Sequence, residues 1–144
     1  MCAAARPGGS VDDELGLEGE HDPGCRGAYP TDAGAGDREL RAFVAGATAF
    51  RHGHRSARRG TFAVVSAGEA SVAYRRDDAD EHVLVCLNAG SDAATLAVDL
   101  PDLAGATLRP VTWDGWTWPV PASATVTDGR ATIVLPGRSA ALYV

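Results

Sequence analysis

Three tryptophans, Trp113, Trp116 and Trp118, are side chains of this sequence that could hold a ligand. They lie in Thr112-Trp113-Asp114-Gly115-Trp116-Thr117-Trp118-Pro119. Their flat faces could stack on a glycan. Trp116 and Trp118 share a side if the segment is extended, because alternate residues of a strand point the same way. The same rings could instead cover a core or an interface, since aromatic side chains dominate burial in small domains. His52-Gly53-His54 is the nearest thing to a metal pair. On a helix, i and i+2 face different sides, and no third ligand is near, so no metal site is expected. No cofactor is expected either. Cys2, Cys25 and Cys86 form no Cys-x-x-Cys pair, and an odd count closes no disulfide framework. Reduced thiols are the simple reading, with Cys86 in a core.

These residues sit in a chain of 144, enough for one domain with an attached piece. Hydrophobic residues make up 45% and charged residues 22%, which excludes a wholly disordered chain. All thirteen basic residues are Arg. The net charge of -6 argues against nucleic-acid binding, which needs a basic footprint. No apolar run is long enough to span a membrane, and the first residues lack the apolar stretch of a signal peptide. A cytoplasmic location is therefore expected. An eight-stranded α/β barrel needs roughly 200 residues or more, so the chain has no room for one.

Residues 1–36 are rich in Gly, Pro and Asp and read as loop, with Leu15, Leu17 and Tyr29 as anchors. A helix is expected over 37–56. Asp37 can cap it and Glu39 suits its first turn. Leu40, Phe43, Val44, Ala47 and Phe50 form one apolar stripe, and Arg51, His52 and Arg55 gather at the C-terminal end. A stop is expected between Gly53 and Gly60. From Thr61 onward the texture is β. Eight short runs are expected, over 61–66, 70–76, 82–88, 94–99, 106–112, 124–127, 130–135 and 139–144. Asp128-Gly129 marks a type I′ hairpin turn. Arg75 and Arg76 beside Asp77, Asp78 and Asp80 read as a solvated turn, and Tyr74 as core. This spacing predicts a mainly β chain, an antiparallel β-sandwich preceded by one α-helix and an N-terminal loop. Val83-Leu84-Val85-Cys86-Leu87 does not alternate, so it needs a cover on both faces. One is the second sheet; the other must be the helix or a neighbour.

Four stretches carry a resemblance. Asp13-Glu14-Leu15-Gly16-Leu17-Glu18-Gly19 is the first. The second is Glu20-His21-Asp22-Pro23-Gly24-Cys25-Arg26 with Tyr29-Pro30. The third is residues 40–62, with Phe50-Arg51-His52 and Arg58-Arg59-Gly60. The fourth pairs residues 83–88 with Leu135-Pro136-Gly137-Arg138-Ser139-Ala140. Together they resemble the C-terminal part of alpha-amylase family glycoside hydrolases of the neopullulanase, cyclomaltodextrinase and maltogenic-amylase branch. The Asp-Pro-x-Cys-Arg loop is the most specific of the four. The resemblance implies three parts: a loop remnant after the last barrel strand (1–36), the last barrel helix and its exit (37–59), and the C-terminal β-sandwich (60–144).

It also implies a parent that is a retaining hydrolase of α-glucosidic bonds, using two carboxyl groups about 5 Å apart. Nothing here matches the motifs that carry them, so no catalytic residue is assigned. Asp13 and Glu14 are adjacent and point to opposite sides of an extended segment, so they cannot flank one bond together. The residues matching the family's glucose-holding pair are Asp22 and Arg26: a carboxylate accepts hydroxyls and a guanidinium donates in a fixed fork. The other reading is an ion pair that fixes the loop. Two positions depart from the family pattern. Asp12 stands where the family usually has Gly, and Thr31 where it has Trp.

The expected function is an accessory, stabilising portion of an α-glucan-acting hydrolase, inactive alone. It would meet an α-glucan or maltooligosaccharide, and a barrel-containing partner chain packing on Leu40, Phe43 and Phe50. Two alternatives remain: a free-standing carbohydrate-binding sandwich using Trp113, Trp116 and Trp118, or a truncated gene product without function.

Overall fold

The non-alternating run at 83–87 sits at the centre of a five-stranded antiparallel sheet, and both faces are covered from Val83 to Cys86 while Leu87 is exposed. In this computed structural model residue 32 and residues 36–144 are described. Two helices come first, α1 (Arg38–Gly53) and α2 (Arg55–Arg59). Nine strands follow: β1 (Thr61–Ala67), β2 (Ser71–Asp78), β3 (Glu81–Asn88), β4 (Ala94–Asp99), β5 (Thr107–Leu108), β6 (Pro110–Val111), β7 (Ala124–Thr125), β8 (Arg130–Leu135) and β9 (Ser139–Tyr143). The large sheet has the order β1-β2-β3-β9-β6. The pairs β4-β8 and β5-β7 form the opposing layer.

Alternation sends successive side chains of the large sheet to different layers. Ala73, Leu84, Cys86, Ala141 and Tyr143 enter the sandwich interior, where they meet Leu96, Val98, Leu108, Ile133 and Leu135. Tyr74, Val83, Val85 and Leu142 turn the other way, onto Phe50 and Ala57 of the helices. The chain's own helices are thus the second cover that the apolar run requires. Burial also pushes the Cys86 thiol up to about 12, so it is an inert core group.

Three local expectations change. The helix is interrupted: His54 adopts φ -105° and ψ 115°, separating α1 from α2. Its ring stacks on Phe50 at 4.2 Å, and its Nδ1 lies 2.6 Å from Glu81 Oε1. The run at 106–112 becomes two strands in different sheets, because the chain crosses at Arg109 and Pro110 has no N–H to extend a ladder. Arg75 and Arg76 are not in a solvated turn. They are buried within β2, and the turn is at Ala79-Asp80. Strand periodicity places Arg75 on the sandwich side and Arg76 on the helix side. The type I′ turn forms as expected, with φ of 50° at Asp128 and 76° at Gly129.

Candidate functional site

The tryptophan segment crosses from the large sheet to α1 and packs along it. Asp37 caps that helix, its Oδ1 accepting from the N–H groups of Glu39 and Leu40 at 2.9 and 3.0 Å. Gly46, in mid-helix, leaves room for the Trp113 indole, which a Cβ would strike. A mid-helix glycine costs roughly 1 kcal/mol relative to alanine, and here the close ring approach offsets it. Trp113 Nε1 donates to the Phe43 carbonyl at 3.0 Å. Its ring lies 5.5 Å from Phe43 and 5.8 Å from Phe50. Gly115 takes φ 81°, and a Cβ there would meet the backbone at Ala42 and Phe43. That glycine lets the loop turn against the helix. Trp116 stands edge-on to Trp113 at 4.9 Å and to Trp118 at 5.2 Å. The three rings thus belong to one half-buried seam rather than to an open platform.

The expected docking face of α1 is filled in part. Phe50 is buried against the sheet, and Phe43 is held among all three tryptophans. Leu40 remains half-exposed and borders an open cleft. Exposed apolar surface lies elsewhere on this layer. Phe62 is 48% exposed, Val64 54% and Leu87 38%. They flank Tyr74 on the large sheet.

A charged cluster closes the other end of the sandwich. Arg75 donates from Nη1 and Nη2 to the two carboxylate oxygens of Asp102, each at 2.6 Å, and from Nε to Asp77 at 2.8 Å. His82 Nδ1 lies 2.9 Å from Asp77. The hydrogen bonds to Asp102 outweigh desolvation and hold Arg75 above its ordinary range. The Arg75 hydrogen bonds in turn pull Asp102 down to about 2. An apolar cavity of about 280 Å³ lies beneath, lined by Val83, Leu84, Leu100, Leu103, Leu108 and Tyr143. Arg75, Glu81 and His82 of its polar rim are engaged in the ion pairs. Glu81 ties the helices to the sheet, accepting from the Ser56 N–H at 2.7 Å. Desolvation would raise its pKa, but hydrogen bonds from Ser56 and His54 prevail and hold it low.

Asp22 and Arg26 lie outside the described residues, as do Asp13 and Glu14. The structure brings Trp113, Trp116 and Trp118 together and leaves His52 exposed, apart from His54 and its Glu81 partner. Among the described residues no three His, Cys, Asp or Glu side chains gather as metal ligands, and no helix is long and apolar enough to cross a membrane.

A cyclomaltodextrinase of a Bacillus species is 38% identical to the chain over 86 residues, 58% of this chain and 15% of that enzyme. A solved cyclomaltodextrinase superposes with a TM-score of 0.72 at 27% identity, covering 92% of this chain and 22% of its own. The chain is related to the alpha-amylase family of glycoside hydrolases. An Anoxybacillus alpha-amylase shares the fold, with a TM-score of 0.76 at 22% identity over 92% of this chain and 27% of that one. No protein-family model matches. The chain spans about 15% of the length of the curated relatives it matches, so it resembles only one portion of the family's enzymes.

The sequence reading missed Arg75, Asp102 and Glu81. Alternation in β2 was an available signal for Arg75. Nothing local joins it to Asp102, 27 residues away.

Proposed function

We propose that the chain is the accessory, stabilising portion of an α-glucan-acting glycoside hydrolase. It docks on a barrel-bearing chain and does not cleave glycosidic bonds itself. One observation carries this reading: the apolar strip of Phe62, Val64 and Leu87, left open on a sheet layer that is otherwise covered. Exposed apolar patches mark interaction surfaces when they are contiguous. The strip adjoins the ring of Tyr74, 5.1 Å from Phe62. The similarity to a limited portion of longer enzymes supports the same reading. The partition into a loop remnant (1–36), a barrel helix with its exit (37–59) and a sandwich (60–144) belongs to this proposal. In the assembled enzyme, Asp22 and Arg26 hold a glucosyl unit through hydroxyl hydrogen bonds.

The catalytic half of the proposal is tested by incubating the purified chain with cyclodextrin, pullulan and a maltoside. No new reducing ends are expected. Turnover that disappears in Asp22→Ala would defeat it.

A further inference from the structure

The first turn of α1 and the end of the tryptophan segment enclose an open cleft of about 250 Å³. Leu40, Phe43 and Trp118 give it an apolar floor; Asp37, Glu39 and Thr117 give it polar walls. Of the three tryptophans, Trp118 borders this space. Its ring is set edge-on against Phe43 at 5.3 Å and against Trp116 at 5.2 Å, with interplanar angles of 86° and 84°. Two such contacts fix the indole, so a ligand need not order it.

We propose that this cleft binds a single glucose unit of an α-glucan. The inference rests on the α-glucan reading above and adds a binding site on the described residues. The C–H face of a pyranose meets the apolar floor at Trp118 and Leu40. Its hydroxyls donate to the carboxylates of Glu39 and Asp37 and exchange hydrogen bonds with Thr117. Among the described residues no cation lines the cleft, so they offer a phosphorylated or acidic sugar no counter-charge. The volume lies just below the roughly 300 Å³ at which drug-sized sites begin, which suits one ring rather than a long chain. A small quaternary ammonium is the competing ligand for an indole beside carboxylates. The wall hydroxyl and aliphatic floor favour the sugar.

The test is a titration of the full, isotope-labelled chain with maltotriose, followed by amide and indole NMR shifts. Saturable shifts are expected at the Trp118 indole N–H and at the amides of Glu39 and Thr117, with a dissociation constant on the order of millimolar. Trp118→Ala should weaken binding about tenfold or more, and Glu39→Ala should weaken it with the spectrum otherwise intact. Choline chloride should leave these signals in place. The proposal fails if no saturable shift appears up to roughly 50 mM sugar, if Trp118→Ala binds equally well, or if choline moves the signals and maltotriose does not. Should Trp118→Ala unfold, unchanged binding in both Glu39→Ala and Thr117→Val overturns it. The titration uses the chain alone, so its failure is separate from any failure of docking.

Discussion

Trp113→Ala is expected to lower the unfolding free energy by about 3 kcal/mol, measured by chemical denaturation. In a domain of this size that is a melting shift of roughly 10 °C. The ring touches Phe43, Phe50 and Trp116, and its Nε1–H satisfies the Phe43 carbonyl. Truncation removes those contacts and leaves a void beside Gly46, which has no side chain of its own to fill it. Trp118→Ala should cost about 1 kcal/mol, because that ring ends the seam and borders solvent. Equal and small losses at both positions would mean that the seam does not hold α1 to the sheet.

Arg75→Ala should cost about 3 kcal/mol or more. It removes a buried guanidinium and leaves the Asp77 carboxylate, which is only 25% exposed, with His82 as its remaining partner. Asp102→Asn should cost less, because Asp102 is 53% exposed and Arg75 keeps Asp77. The pH dependence discriminates further. Asp102 titrates at about 2 in the fold, against roughly 3.9 unfolded. Its contribution is present above about pH 4 and is lost as pH falls toward 2. In Arg75→Ala that part of the acid limb should flatten. Glu81, also depressed, keeps its own contribution in both proteins. An acid limb unchanged by Arg75→Ala would contradict the pairing.

Periodicity made most of the fold legible. The stripe from Leu40 to Phe50 located α1, and the unbroken run from Val83 announced a sheet strand covered on both sides. Asp128-Gly129 fixed its turn through local backbone chemistry, which needs no tertiary information. Two of the misread elements depended on distant partners. His54 breaks the helix where it meets Glu81 from the far end of β2 and β3. Arg75 enters the sandwich because Asp102 waits there. The tryptophans left two roles open because their spacing says nothing of Gly46 and Gly115, the positions that let them lie on α1. The cleft beside Trp118 joins residues some 80 positions apart, beyond any motif. Asp22 and Arg26 rest on resemblance alone.

Docking on a barrel-bearing chain is the central claim, and co-expression tests it most directly. The partner is the Bacillus cyclomaltodextrinase lacking the 86-residue stretch that this chain matches. The chain should co-purify with that partner in equal amounts and keep it soluble. The double variant Phe62→Asp and Val64→Asp should fold and fail to do so. A chain that elutes alone, with the shortened enzyme insoluble, would contradict the account, and so would a complex unaffected by the double substitution.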